Sequence, residues 1–189
     1  MNCPGGQVCS HPPTGLEQSV EEMDFARSAC SAALNSDVAK LQRCLERNPA
    51  CIHHDGAGGG SGYTPLHYAA RGGHGEAVAL LLAAKASVHA RTSGGATPLM
   101  RAAFAGHAPV VQQLVRAGAA LDAQDSDGET ALHKAAAQRH GAVLQALQQA
   151  ASRASGCGAS SANASIEGLR NRNGLTAGEV WDLLGGTPS

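Results

Sequence analysis

Aromatic residues are nearly missing from this chain: one Trp, two Tyr and two Phe make up 3% of 189 residues. A core must therefore be built from Ala, Leu and Val, which suits close helix packing and argues against a β-sandwich. An excess of either charge is missing too. The 14 Lys and Arg are balanced by 15 Asp and Glu, so the chain lacks the basic surplus that drives general binding to nucleic-acid backbones or anionic lipid. Its longest apolar run, Ala77 to Ala84, falls far short of the roughly 20 residues a membrane helix needs. The first residues, with Asn2, Pro4 and Gly5, show neither the basic nor the apolar stretch of a secretion leader. A cytoplasmic location is the expectation, with nuclear, cytoskeletal or ciliary association left open.

Catalytic signatures are also lacking. There is no nucleophile elbow, Walker loop, dinucleotide fingerprint or H-E-x-x-H helix, and Gly58-Gly59-Gly60 is followed by no Lys-Ser or Lys-Thr pair. Six cysteines, at 3, 9, 30, 44, 51 and 157, form no regular framework and read as reduced thiols. Since 43% of the residues are hydrophobic, the chain still has enough apolar material for a core.

That material is arranged periodically. Thr64-Pro65-Leu66-His67 returns as Thr97-Pro98-Leu99-Met100 and as Thr130-Ala131-Leu132-His133, so the period is 33 residues. Gly62, Gly95 and Gly128 stand two before each Thr, and the pairs Ala69-Ala70, Ala102-Ala103 and Ala135-Ala136 follow in the same phase. Each Thr is placed to cap a helix, and Pro65 and Pro98 fall at its first position, where a missing N–H costs nothing. The Leu points into a stack, and the Ala pairs keep neighbouring helices close. Gly73-His74 and Gly106-His107 then end the helix with a glycine able to turn left-handed. Val78, Leu81 and Leu82, and one repeat later Val110, Val111, Leu114 and Val115, recur at helical spacing as the apolar face of a second, outer helix.

The T-P-L-H tetrad at a 33-residue period resembles the ankyrin repeat, a projecting turn followed by two antiparallel helices. The resemblance covers roughly Asp24 to Leu184 and implies an all-α ankyrin-repeat solenoid of stacked helix-turn-helix units with projecting turns. The segments Cys9-Ser10-His11-Pro12, Leu16 to Phe25 and Ser31-Ala32-Ala33-Leu34-Asn35 resemble one small branch of that family, which implies a non-enzymatic module and supplies no known site.

The organisation expected is a flexible tail over 1–23 and a repeat domain over 24–186. Within it, 24–56 form an N-terminal cap, 59–91, 92–124 and 125–151 form full repeats, 152–165 an inserted Ser-, Ala- and Gly-rich loop, and 171–186 a C-terminal cap. Val180, Trp181, Leu183 and Leu184 are candidates to close the stack, and Gly178, standing where Leu is usual, should soften it. His53 to Gly60 lengthens the first projecting turn. Met100 replaces the motif His, and Lys85 and Arg139 stand where Gly is usual.

Histidines 67, 74, 107, 133 and 140 occupy repeat positions, so they are read as framework groups bonded to turn backbone. Cys3, Cys9 and His11 offer thiolate and imidazole ligands in a tail, which supports an alternative metal-linked or redox-sensing regulator; zinc normally takes four ligands, and the spacing is not standard. His53-His54-Asp55 reads as solvated loop. The main expectation is a scaffold, monomeric on its own and without cofactor, that binds a protein partner on the concave face formed by turn tips and inner helices. The residues there free of packing duty are Tyr63, Tyr68, Arg71, Arg101, Phe104, Glu129, Lys134 and Gln138. Tyr63, Arg71, Arg101 and Phe104 are the strongest candidates, because aromatics and Arg dominate interface energetics. The competing expectation is that Tyr68 and Phe104 only fill gaps between repeats.

Overall fold

Each repeat's inner helix starts where its Thr stands in extended backbone and the following residue is already helical: Thr64, Thr97, Thr130 and Thr176 all have ψ between 163° and 175°. The Thr97 and Thr130 hydroxyls accept the backbone N–H three residues on, at 3.3 and 3.4 Å. In the last repeat Thr176 does the same for Glu179, whose carboxylate reaches back to the Thr176 N–H at 2.7 Å, a reciprocal cap.

The computed structural model describes residues 28–53, 61–155 and 166–185. In chain order the helices are α1 (Ala29–Leu34), α2 (Val38–Arg47), a 3₁₀ turn (Pro49–Ile52), α3 (Pro65–Gly72), α4 (Gly75–Ala83), α5 (Pro98–Ala105), α6 (Ala108–Arg116), α7 (Ala131–Ala137), α8 (Gly141–Ser155) and α9 (Ala177–Leu183). No strand occurs among the described residues, and no helix among them is long and apolar enough to cross a membrane. The inner helices α1, α3, α5, α7 and α9 pack in that order, and α2, α4, α6 and α8 form an outer layer against them. These pairs define repeats one to four, with α9 opening the fifth.

The core follows the sequence period. Leu66, Leu99 and Leu132 are buried, as are all three Ala pairs, and Val78, Leu81, Val110, Val111, Leu114, Val143 and Leu147 line the outer-helix side. Gly73 and Gly106 end the inner helices at φ 74° and 84°. Lys85 and Arg139 hold the same left-handed backbone at φ 64° and 59°, at a cost of about 1 kcal/mol each for a residue bearing a Cβ.

Two features depart from expectation. Residues 152–155 continue α8 instead of opening a loop, making it 15 residues long where α4 and α6 have 9; the good helix formers just before them, Gln148 to Ala151, carry the helix forward, and the Ser152 hydroxyl donates to the Gln148 carbonyl at 2.9 Å. Residues 156–165 lie outside the described residues, as do the N-terminal tail and the Gly-rich part of the first projecting turn. At the far end, Leu183 and Leu184 do not close the stack. They are 71% and 46% exposed, because among the described residues no outer helix follows α9 to cover them. Gly178 faces open space, with no atom within 4 Å of where a Cβ would stand, and that space is part of a hollow it lines beside α9.

Candidate partner-binding cleft

Three sets of hydrogen bonds hold one repeat against the next and fix where the concave side chains sit. At the turn tips, Ser93 N–H donates to Ser61 O, Ser126 N–H to Gly94 O and Arg172 N–H to Asp127 O, all at 2.8–2.9 Å. At the opposite ends of the inner helices, an imidazole at the start of α4, α6 and α8 reaches back one repeat: His74 Nε2 to Leu34 O at 2.8 Å, His107 Nε2 to Arg71 O at 3.1 Å and His140 Nε2 to Phe104 O at 3.1 Å. Since the partners are carbonyls, each Nε2 carries the proton.

The motif histidines form the third set and reach forward. His67 Nδ1 accepts from the Thr64 N–H (3.1 Å) and hydroxyl (3.0 Å), and its Nε2 donates to Ala96 O at 3.1 Å. His133 repeats this with Thr130 and with Leu175 O at 3.0 Å. Burial, with a smaller push from the nearby Arg101 cation, holds the His67 pKa down at about 4, so the ring is neutral at physiological pH. Met100 takes the equivalent place in repeat three. Its Sδ accepts weakly from the Thr97 N–H at 3.4 Å, but a thioether has no proton to send forward. The structure thus gives the repeat-frame histidines backbone partners, and no group of three or more His, Cys, Asp or Glu among the described residues could hold a metal ion. Cys3, Cys9 and His11 lie outside those residues.

On the side that carries the turn tips and inner helices, the frame opens a cleft of about 420 Å³ between the turn tips of repeats three and four and the inner helices α5 and α7. Tyr63, Arg101, Phe104 and Lys134 line it, with Met100 and the turn residues Asp125 and Asp127. Tyr63 is braced by Tyr68 (ring centroids 5.3 Å apart) and His67 (5.6 Å), and the Arg101 guanidinium lies over its ring, Cζ 5.0 Å from the centroid. That distance is within cation–π range. Lys134 sits one repeat further on, in the position equivalent to Arg101, but its ammonium is held by Asp125 at 2.8 Å and Glu129 at 2.5 Å. Burial is the largest single influence and opposes charge on Asp125 and Lys134, yet the hydrogen bonds and ion-pair attraction around them together outweigh it: the carboxyl is held below its ordinary value and the ammonium above.

Of the eight residues expected on the binding face, four therefore meet in one cleft. Tyr68 stands behind Tyr63, half-buried against the core, while Phe104 is 44% exposed and fills no gap. Glu129 is engaged with Lys134. Arg71 and Gln138 are exposed and do not line the cleft. Sequence reasoning missed Asp125 and Asp127 as cleft residues; the signal was their place in the projecting turn, four and two residues before Glu129. It also missed a second hollow of about 480 Å³ beside α9, lined by Leu132, Leu144 and Trp181.

A stack of helix pairs braced by repeat-to-repeat imidazoles, with side chains displayed on its inner face, is the architecture of a helical repeat protein. The chain belongs to the ankyrin-repeat family: the model of that family, described as ankyrin repeats (3 copies), matches residues 28–125 and 86–157. Among curated proteins it is similar to Ankyrin repeat domain-containing protein 39 of Homo sapiens, 41% identical over 92 residues that make up 48% of each chain. It is also similar to the protein of that name in Bos taurus, 42% identical over 74 residues, 38% of each chain. The match thus spans about half the length of the human relative or less. Ankyrin repeats generally mediate protein–protein interaction, and the family is typically non-enzymatic.

Proposed function

We propose that this chain is a non-enzymatic scaffold that holds a protein partner on the concave face of its stack, with the cleft around Tyr63, Arg101 and Phe104 at the centre of contact. The observation that carries this reading is Phe104. A large apolar side chain left 44% exposed beside an Arg stacked on a Tyr is the composition that interface hot spots favour, and all three stand on elements fixed by the inter-repeat bonds. Such a surface is preorganised, so little ordering cost falls on binding.

The test is a triple variant, Arg71→Ala, Arg101→Ala and Phe104→Ala, used as bait beside the wild-type chain, with folding followed separately by circular dichroism. The expected outcome is a folded variant that recovers far less of the wild-type chain's specific partner. Undiminished recovery by a folded variant would remove the concave face from consideration.

A further inference from the structure

Arg101 and Lys134 occupy the same position in successive repeats, and their surroundings differ in one respect that bears on the partner. Lys134 is fully engaged by Asp125 and Glu129, and Asp127 is met by Arg172 at 3.3 Å. Each carboxylate around the cleft thus has a cation beside it, although Lys134 serves two and its triad keeps one net negative charge. Arg101 has no such partner: among the described residues no carboxylate comes within 4 Å of its guanidinium, and its Nε is buried without a hydrogen-bond acceptor. The Tyr63 ring holds the cation in place but satisfies none of its N–H groups. With Nε screened, the part of the guanidinium that the cleft can address is the edge formed by the two Nη atoms, which matches the two oxygens of a carboxylate. Phe104, one turn along α5, offers an apolar surface beside it.

Resting on the concave-face reading above, we infer that the cleft takes a protein segment carrying an Asp or Glu next to an apolar side chain, with the carboxylate on the Arg101 Nη edge and the apolar group against Phe104. One guanidinium without a carboxylate partner fits one carboxylate. A phosphate dianion would bring a second negative charge close to Asp125, Asp127 and Glu129, and the chain as a whole has no basic surplus to offset it. The engaged Lys134 triad, one ammonium between two carboxylates, then acts as a boundary whose net negative charge repels a second acidic residue.

The experiment is selection of a randomised displayed peptide library on the full chain, followed by affinity measurement with synthetic versions of the enriched peptides. Enriched sequences should pair an Asp or Glu with a neighbouring apolar residue. Replacing that acid by its amide, or making Arg101→Gln, should each weaken binding about tenfold, while the two changes together should cost little more than either alone. Arg101→Lys keeps the charge but not the flat two-pronged head and should recover only part of the affinity. Enriched peptides that lack an acid, or whose acid matters equally to wild type and to Arg101→Gln, would overturn the inference. If such peptides still lose affinity to Phe104→Ala, the concave-face reading survives and only the carboxylate preference fails. If binding is indifferent to Arg101→Gln and Phe104→Ala alike, or nothing is enriched above background, both fall.

Discussion

The junction between repeats two and three and the junction between repeats three and four share one backbone plan and differ in their side chains. Both have the turn-tip bond, Ser93 to Ser61 in one and Ser126 to Gly94 in the other, and both have the back-reaching imidazole, His107 in one and His140 in the other. At the first junction His67 adds a forward bond to Ala96, and Arg101 leans back onto Tyr63. At the second, Met100 can send no bond forward, and Lys134 turns to Asp125 and Glu129 within its own repeat. The lesson is that the stack is held by its shared frame, while the variable positions either spend their polarity internally, as at repeat four, or display it, as at repeat three.

The frame can be broken at both junctions alike. A Cβ on Gly73 would stand 2.6 Å from the His107 ring, and one on Gly106 2.7 Å from the His140 ring, and both glycines have positive φ. Either Gly→Ala change should cost about 3 kcal/mol, backbone strain and steric overlap together, read as a lower urea midpoint. Adding His140→Ala to Gly106→Ala should relieve the overlap but not the strain. A marked inequality between the two single variants would mean that the junctions are not held in the same way.

Acid should separate the two junctions next. His67 has a pKa near 4 in the folded chain and about 6.5 when unfolded. Between these values the unfolded state binds a proton that the folded state refuses, so stability is intact above the upper value and falls as pH drops through the window. The loss from pH 7 to pH 5 at this one residue is about 2 kcal/mol. His67→Met, which copies position 100, should flatten the pH dependence of the urea midpoint by about that amount. An unchanged slope would show that the ring is not buried as a neutral group.

The smallest effect sharpens the comparison from the other side. Met100→His should let Nδ1 accept from the Thr97 N–H and Nε2 donate to the Glu129 carbonyl, as His67 does one repeat earlier, raising the melting temperature at neutral pH by the equivalent of about 1 kcal/mol. The gain should vanish on acidification. A loss at every pH would indicate that repeat three is shaped around the thioether.

The frame was legible in the sequence because its causes are local. Thr97 and Met100, or Gly106 and His107, lie within one turn of each other, and the 33-residue period marks their positions in each repeat even where Met100 or Arg139 departs from the motif. The cleft was legible only as a set of positions. Nothing in the order of residues says that Arg101 stacks on Tyr63 from the preceding repeat, or that Lys134 closes on Asp125 and Glu129 and so withdraws from the surface. Those outcomes depend on which side chains the stacking brings face to face. The length of α8 was missed for a different reason: Ser152 to Ser155 has the composition of a loop, but an established helix already supplies the preceding turn, so extension adds a bond per residue without a new nucleus.

The two outer columns of inter-repeat bonds have a mechanical meaning. One runs along the turn tips and the other along the far ends of the inner helices, and an eight-residue helix sets them about 12 Å apart. Two parallel rails at fixed separation resist bending: tilting one repeat on the next toward either side shortens one rail and stretches the hydrogen bonds of the other. The array therefore behaves less like a flexible ribbon than like a braced ladder, each repeat held at one angle to the next.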